Sequence, residues 1–390
     1  MNTLMDFSKV GHQMEDLLQR LCSTLQITKT QYDAIETSYG SVAKWLSSDY
    51  GLLKEVDVDI YPQGSLRIGT TVKPLSKQEY DLDLVCELHL DWNQVDAMEV
   101  FEAVKERMLQ HETYASMVEL KKRCVRLNYA GNYHLDILPA CPTDLESSDL
   151  CVKVPDRSVK NWKDSNPKGY AEWFDKIAND YTPLVQYELL EKKAEIQPLP
   201  DVEPVEMKPP LKRAVQLIKR YRDVYFEDNP DLAPISIVLT TLAAQTYNKQ
   251  GSVAEAIQGI LKGILAMILK AQREKTRLKV SNPMNPLEDL SERWDTDQNG
   301  YESFITFIDD FSREWDIFME LQGIQNVVTG LKSMFKGNLP VEDEVRKQAS
   351  FMKSLRDNKM LGVTATGVLT SNSLSSSVAS VKGHNFYGSV

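Results

Sequence analysis

The chain opens with two stretches of helical periodicity. Apolar residues recur at steps of three and four between Phe7 and Leu21, and again between Tyr32 and Leu46. This spacing gathers them on one side of a helix. We therefore predict two packing helices at the start of the chain.

The hydrophobic pattern then changes to alternation. Val56, Val58 and Ile60 alternate with aspartates, which predicts a strand that ends at Tyr61-Pro62. Further alternating runs cover residues 80–88, 118–129 and 133–138, and helical spacing returns at 94–110. The turn at 130–132 is a plausible hairpin connection. Because strands and helices interleave, this part of the chain is predicted to form a mixed domain of sheet and helix.

The second half of the chain has a different organisation. Residues 197–210 contain five prolines, which is typical of a linker or an extended crossing segment. Helical patterns follow up to about residue 355, and the tail from Thr364 has seven serines and no acidic residue. We therefore predict four parts: a domain at 1–196, a linker at 197–210, a helical domain at 211–362 and a flexible tail at 363–390.

Composition and charge exclude several function classes. The 390 residues carry a formal net charge of -11, which argues against broad, charge-driven binding of nucleic acid. The five cysteines are scattered and form no CxxC pair, so a disulfide scaffold or zinc cluster is not expected. No apolar run approaches the roughly 20 residues of a membrane helix. A reducing bacterial cytoplasm, without membrane attachment, is the predicted location.

Two aspartates in the run at 80–88 are the first candidates for chemistry. Asp81 and Asp83 lie two residues apart on a predicted strand, so their side chains point to the same face. Two adjacent carboxylates repel each other unless a cation joins them, and Mg²⁺ favours hard oxygen ligands. Asp136 lies on the polar face of the run at 133–138. If the two strands are neighbours, the three carboxylates form a two-metal site for attack of a hydroxyl on a phosphate.

A glycine-rich turn supplies a complementary feature. Gly64 allows the backbone to approach a phosphate, and successive N–H groups together with the Ser65 hydroxyl can bind an anion. An isolated D-x-D is more often a pair of solvated surface acids. The order of a Gly-Ser turn, a D-x-D strand and a later single strand aspartate is much more specific.

Together these motifs resemble a known superfamily. The segments QGSLRIGTTVKP, EYDLDLVCEL and HLDILPA are similar to the polymerase-β-like nucleotidyltransferases. Within that superfamily the chain most resembles the cGAS/DncV-like nucleotidyltransferases (CD-NTases) of bacterial anti-phage (CBASS) signalling. The segments PLKRAVQLIKRYRD and PISIVLTTLAA resemble the helical domain of that family. The resemblance spans about residues 5–355 and implies an α+β fold: a mixed-sheet core, an α-helical C-terminal domain, and an active site in the cleft between two lobes.

The resemblance also implies roles for individual residues. Asp81, Asp83 and Asp136 would be the catalytic ligands of two Mg²⁺ ions, with Mn²⁺ as a substitute, and Asp136 would help to deprotonate the attacking ribose hydroxyl. Four further positions match those that bind donor phosphates in relatives: Gly64, Ser65, Lys219 and Ser236.

Alternatives remain open for the less specific positions. Lys219 could instead be a solvated helix cation, and Ser236 could be a helix N-cap after Pro234. Gln63 and Arg67 flank the glycine-rich turn and could contact phosphate, although a surface role suits Arg67 equally well.

The implied reaction joins nucleoside triphosphates, ATP, GTP or both, into a cyclic di- or trinucleotide second messenger with release of pyrophosphate. Two alternatives stay open: an enzyme that extends RNA or makes linear oligonucleotides, and an inactive nucleotide-binding protein. The segment 382–390 carries aromatic residues after a Ser-rich spacer. It is a candidate for recognition by a regulatory or conjugating partner.

Overall fold

The structure is a computed structural model of the chain. It describes residues 7–47, 56–75, 80–129, 133–146, 150–181 and 208–357, together with three short strands between 362 and 380. Residues 197–207 of the predicted linker and the segment 382–390 lie outside the described residues, as does the turn at 130–132. The predictions made for them, and the four-part division, stay predictions.

A seven-stranded mixed sheet forms the first half of the described structure. Its strands run in the order β1-β2-β5-β4-β3, with β6 paired to β5 and β7 paired to β6. The bounds are β1 Val58–Gln63, β2 Tyr80–Leu88, β3 Val118–Leu120, β4 Val125–Tyr129, β5 Tyr133–Pro142, β6 Val152–Asp156 and β7 Asn161–Ser165. The pairing of β2 with β5 is parallel, and the other described pairings in this sheet are antiparallel.

Helices flank this sheet and make up most of the second half. The first six are α1 Phe7–Thr24, α2 Lys29–Leu46, α3 Gly64–Arg67, α4 Ala97–Leu109, α5 Glu112–Ala115 and α6 Pro167–Asn179. The remaining ones are α7 Pro210–Tyr225, α8 Ser236–Thr246, α9 Val253–Arg273, α10 Gln298–Met319, α11 Ile324–Met334 and α12 Val341–Asp357. A hairpin of β8 Ser281–Asn282 and β9 Asn285–Asp289 interrupts them, and β10 Gly362–Thr364, β11 Leu369–Thr370 and β12 Val378–Ser380 pair near the end.

The predicted α+β class is confirmed, with differences in detail. The alternating run at 80–88 is β2, with the predicted bounds. The run at 118–129 is two strands, because the chain turns between Leu120 and Val125 and pairs back on itself. Hydrophobic alternation missed β6, β7 and the β8–β9 hairpin, since these strands are short and most of them are polar.

Two hydrophobic clusters divide the structure into lobes. One cluster joins the sheet to α2 and α4, and we call this part the sheet lobe. The other joins α1 and α6 to the helices from α7 onward, and we call it the helical lobe. Both α1 and α6 precede the proline-rich segment, so the chain contributes to the helical lobe before and after it.

Helix α7 fastens the two lobes together. Residues 211–221 are all buried, including five long polar side chains that a solvent-facing helix would expose. Three of these side chains bond to backbone carbonyls of the segment that follows the glycine-rich turn: Lys219 donates to Thr70 O at 3.2 Å and Gln216 donates to Thr71 O at 2.6 Å. Arg220 likewise donates to Lys73 O. A buried carbonyl needs such a partner, so α7 fixes the segment that follows the glycine-rich turn.

Gln216 provides a test of this fastening. Its Oε1 also accepts from Gln26 Nε2 at 3.0 Å, so Gln216→Leu leaves both the Thr71 carbonyl and the Gln26 amide without this partner. We expect the free energy of unfolding to fall by about 1–3 kcal/mol, measured by urea denaturation. The exposed Gln245 on α8 allows the matched control Gln245→Leu, which should unfold like wild type. Equal stability of the two variants would contradict the proposed fastening.

Among the described residues, no helix combines the length and apolar character needed to cross a membrane.

Candidate active site

Four polar residues form a row across the centre of the sheet. Gln63 of β1 pairs with Asp83 of β2, Asp83 pairs with Asp136 of β5, and Asp136 pairs with Arg126 of β4. Neighbouring strands lie less than about 5 Å apart, and residues in register project to the same face. The expectation that the two acidic strands are neighbours is therefore confirmed, and their pairing is parallel.

Asp81 lies two residues before Asp83 and so shares its face of β2. The side chain of Asp81 is 63% exposed, whereas that of Asp136 is 13% exposed. Leu82 and Leu84, which alternate with the two aspartates of β2, are buried on the other face of the sheet. The sheet thus gathers three carboxylates at one edge of a hydrophobic core.

The glycine-rich turn lies against this acidic group. Gly64 has a φ of +66°, in the left-handed region that favours glycine. A Cβ at this position would lie 2.2 Å from Asp83 Oδ2, so the close approach to the carboxylate requires glycine. The backbone after it is held internally, because Thr70 N donates to Ser65 O at 2.8 Å. The Ser65 hydroxyl lies 3.3 Å from Thr71 Oγ1.

Burial, followed by charge repulsion, raises the pKa of two of the three carboxylates. Burial and the nearby charges of Asp136 and Asp81 raise the pKa of Asp83 to about 7. Burial also raises the pKa of Asp81, and the charge of Arg126 acts in the opposite direction. The site therefore holds more negative charge than its neighbours neutralise. An excess of hard carboxylate oxygens is the donor set that fits Mg²⁺ or Mn²⁺.

Arg126 is the main positive partner of these acids. Its Nε donates to Asp136 Oδ1 at 2.7 Å, its Nη2 donates to Asp136 Oδ2 at 2.8 Å, and Nη2 also lies 3.4 Å from Asp81 Oδ1. Sequence reasoning missed this residue. The signal was present, since residues 126 and 136 are equally distant from the predicted turn at 130–132 and so oppose each other in a hairpin.

A cavity of about 460 Å³ opens in front of the acidic group, between the lobes. Gln63, Gly64, Ser65, Asp81 and Asp83 line one side of it. The opposite side comes from the helical lobe and includes two of the predicted phosphate-binding residues, Lys219 and Ser236. The structure thus brings the predicted residues of both halves of the sequence to one cleft.

Lys219 is buried, which excludes the alternative of a solvated helix cation. Its ammonium group donates to the carbonyl and hydroxyl of Thr70, both at 3.2 Å. Burial, followed by the nearby charge of Arg222, lowers the pKa of Lys219 to about 7. An anion in the cleft would favour its charged form.

Ser236 is the first residue of α8, but it is not its N-cap. The N-cap position belongs to Ile235, and no side chain caps the helix there. The Ser236 hydroxyl accepts instead from Arg222 Nη1 at 2.5 Å. Arg222 also pairs with Asp223, and sequence reasoning missed it because nothing in its local pattern distinguishes it from other exposed helix cations.

The remaining candidate at the turn, Arg67, has a structural partner. Its Nη1 donates to Asp175 Oδ2 of α6 at 2.8 Å, so it ties the turn to the helical lobe. A second ionic network crosses the cleft, in which Arg123 pairs with both Asp156 and Glu292. These pairs hold the cavity walls together.

One other group of metal-type ligands occurs on the described part of the chain. Single ligand atoms of Asp59, Glu87 and His89 lie within 4.8 Å of one another. Lys168 Nζ already lies 3.2 Å from Glu87 Oε2, and the Tyr61 hydroxyl donates to the same oxygen at 2.7 Å. These two donors satisfy Glu87, so we interpret the group as an ion-pair network.

Comparison with known proteins assigns this chain to a family. Residues 13–178 match the SMODS family, described as the Second Messenger Oligonucleotide or Dinucleotide Synthetase domain. The chain is 38% identical over 381 residues to a c-di-GMP synthase of Roseivirga ehrenbergii. The aligned region covers 98% of this chain and 99% of the relative. The chain belongs to the cGAS/DncV-like nucleotidyltransferase (CD-NTase) family.

Two further proteins are similar to this chain, one in sequence and in fold and the other in fold. Over 301 residues the chain is 25% identical to the cyclic dinucleotide synthase CdnG of Bradyrhizobium diazoefficiens, covering 73% of this chain and 71% of the relative. The solved structure of that CdnG in complex with GTP matches the fold with a TM-score of 0.69 at 20% identity, covering 86% of this chain and 99% of the other. The cyclic AMP-GMP synthase DncV of Vibrio cholerae matches with a TM-score of 0.53 at 14% identity, covering 86% and 91%.

The predicted family and enzyme class are thereby confirmed. The chain is a nucleotidyltransferase that synthesises a cyclic oligonucleotide from nucleoside triphosphates. CD-NTases generally depend on a metal ion, which agrees with the excess of carboxylate charge in this site.

The raised pKa of Asp83 predicts how stability depends on pH. In the folded protein Asp83 holds its proton up to about pH 7, whereas an unfolded aspartate releases it near pH ~4. The stability contributed by this proton is therefore lost as the pH rises from ~4 through 7. Asp83→Asn cannot ionise, so its melting temperature should exceed that of wild type increasingly between pH ~5 and ~8.

The measurement is thermal unfolding in EDTA across this pH range. We expect the difference in melting temperature between Asp83→Asn and wild type to change by at least about 2 °C over this range. This change corresponds to about 1 kcal/mol in a domain of this size. The difference at pH ~5, where both side chains are neutral, is the internal control. A constant difference across the range would contradict the ionisation of a repelled Asp83.

The left-handed backbone of Gly64 gives a second prediction. Gly64→Ala adds a methyl group against the Asp83 carboxylate and strains the backbone by about 1–2 kcal/mol. We expect the rate of pyrophosphate release to fall at least about tenfold. Gly40→Ala is the matched control, because a Cβ there meets nothing within 4 Å. Wild-type activity in Gly64→Ala would show that the close approach is dispensable.

Proposed function

We propose that this enzyme makes cyclic di-GMP from two molecules of GTP, with Mg²⁺ at Asp81, Asp83 and Asp136. The observation that carries the proposal is the row Gln63, Asp83 and Asp136, with Asp81 on the same face. Asp81 and Asp83 line a cleft of about 460 Å³, and Asp136 lies directly beside Asp83 on the neighbouring strand. The choice of guanine is supported by the relative at 38% identity, which is named a c-di-GMP synthase.

The metal fits the donor set. Asp83 is crowded by two other carboxylates, and one nearby guanidinium does not balance their charge. Mg²⁺ bound there would neutralise charge on the triphosphate and activate a ribose hydroxyl for attack. Mn²⁺ has the same preference for carboxylate oxygens and is the expected substitute.

The residues of the turn would hold the donor triphosphate. Gly64 and Ser65 present backbone N–H groups and a hydroxyl at the edge of the acidic group, and Gln63 flanks them in the same cavity. Lys219 and Ser236 approach from the helical lobe. An ammonium and a hydroxyl on the opposite wall suit phosphate oxygens, which can take over the bonds that these groups now make to Thr70 and Arg222.

The reaction follows from this placement. A ribose hydroxyl oxygen attacks the α-phosphorus of the donor, the bond to the β-phosphate breaks, and pyrophosphate leaves. Asp136, as in the related family, would help to take the hydroxyl proton. Because positioning and charge neutralisation dominate such transfers, no protein nucleophile is required. A second transfer within the linear intermediate closes the ring.

The location of the cleft between two lobes supports cyclisation over extension of RNA. Arg123, Lys163 and Glu292 form ion pairs across the lobes, so one side of the cleft is bridged. A long RNA substrate would need an open basic groove, and the net charge is -11. A role in anti-phage signalling is proposed from the family.

The product assay tests this proposal directly. Purified enzyme is incubated with Mg²⁺ and GTP, ATP, or all four nucleoside triphosphates, treated with phosphatase and analysed by mass spectrometry. We expect a phosphatase-resistant product with the mass of cyclic di-GMP from GTP alone. The double variant Asp81→Asn/Asp83→Asn should make at least about 10³-fold less, since the main charge-stabilising groups of the reaction are lost.

The possible results separate the alternatives. A phosphatase-sensitive product would indicate a linear polymerase, and a cyclic product without guanine would contradict the choice of base. Absence of product in all mixtures, with intact binding of GTP, would favour a nucleotide-binding protein over an enzyme.

A further inference from the structure

Arg126 holds two of the three carboxylates that the proposed function assigns to the metal. Its guanidinium forms a two-pronged pair with Asp136 at 2.7 and 2.8 Å, and it reaches Asp81 Oδ1 at 3.4 Å. The pair is held by strand register, because Arg126 lies directly opposite Asp136 in the β4–β5 ladder. Planar guanidinium–carboxylate pairs of this kind are among the stronger charged hydrogen bonds in proteins.

The guanidinium and a metal ion require the same atoms. Both oxygens of Asp136 accept a hydrogen bond from Arg126, and Arg126 Nη2 lies between Asp136 Oδ2 at 2.8 Å and Asp81 Oδ1 at 3.4 Å, where a cation shared by these two carboxylates would bind. The side chain of Asp136 is only 13% exposed, so solvent does little to weaken the pair. A divalent cation that binds Asp136 together with Asp81 must therefore displace or share this guanidinium.

A second acceptor for Arg126 lies one strand away. Glu119 of β3 is directly opposite Arg126 in the β3–β4 ladder, so it lies on the side of Arg126 away from Asp136. Its carboxylate is half exposed and is already paired with Lys121. A guanidinium that leaves Asp136 can therefore be hydrated by solvent or can pair with the Glu119 carboxylate in the same sheet.

We propose that Arg126 is a built-in counter-ion that competes with the divalent metal for Asp136 and Asp81. Before metal binds, it contacts two of the three crowded carboxylates, offsets one negative charge and keeps them in place. Metal binding has to displace or weaken the two-pronged pair, so Arg126 lowers the metal affinity of the nucleotide-free enzyme. The inference rests on the proposed function, since it takes the three aspartates as the metal ligands.

The experiment measures binding of Mn²⁺ alone to the full chain, without nucleotide, by the loss of the free-ion paramagnetic resonance signal. If Arg126 competes, Arg126→Gln should lower the dissociation constant at least about tenfold. Arg126→Lys keeps the charge but loses the two-pronged geometry, so it should fall between Arg126→Gln and wild type. If Arg126 only orients Asp136, its removal should weaken Mn²⁺ binding, and that result overturns the proposal.

Two controls separate competition from a general charge effect. Arg346→Gln removes the same charge from an exposed side chain on α12 and should bind Mn²⁺ like wild type. In the double variant Arg126→Gln/Asp136→Asn the gain in affinity should disappear. Equal tightening in Arg346→Gln, or a gain that survives Asp136→Asn, overturns the proposal.

A stability measurement keeps the test valid if folding is affected. Without Arg126 the carboxylates repel one another, so Arg126→Gln should melt below wild type in EDTA and show a larger rise in melting temperature on addition of Mn²⁺. A rise equal to or smaller than that of wild type overturns the proposal. Failure of the proposed function is seen separately, as absence of cyclic product from the wild-type enzyme with GTP.

Discussion

The parallel pairing of β2 with β5 is the constraint on which the site depends. It sets Asp83 beside Asp136 in register and leaves Asp81 two residues away on the same face. Like charges placed this close are unfavourable, and they add to the larger effect of burial in raising the pKa of Asp83. The sheet can hold them because the opposite face of the same strands is fully buried in an apolar core. The stability of that core thus maintains an arrangement of charges that a metal ion can then use.

The second requirement is that the glycine-rich turn is held at a fixed distance from this acidic group. Gly64 approaches Asp83 as closely as a residue without a Cβ allows. The segment after the turn carries carbonyls that are bound by side chains of α7, among them Gln216 and Lys219. Helix α7 is therefore both the link between the lobes and the source of a cation in the cleft. A change in the packing of α7 would move the turn and Lys219 together.

Charge balance in the cleft is local and differs from the overall charge of the chain. The net charge of -11 would repel a triphosphate at long range, whereas Lys219, Arg123 and Arg126 place positive charge next to the acids. Burial lowers the pKa of Lys219 to about 7, so its charge depends on the anions around it. Arg126 keeps its charge and is paired with Asp136. Lys219 suits a ligand that brings negative charge into the cleft. Arg126 balances part of the negative charge of the carboxylates that the fold places together.

The sequence by itself determined the local features of this protein. The two-residue period placed Asp81 and Asp83 on one face of a strand, and the Gly64-Ser65 pair marked a turn, because both features depend on neighbouring residues alone. The residue order of these motifs was also sufficient to indicate the family. Only the tertiary structure decided that β5 lies beside β2 in this register and that α7 brings Lys219 to the cleft. Those contacts join residues that lie tens to more than a hundred positions apart in the sequence. Hydrophobic periodicity carries no information on which distant elements meet.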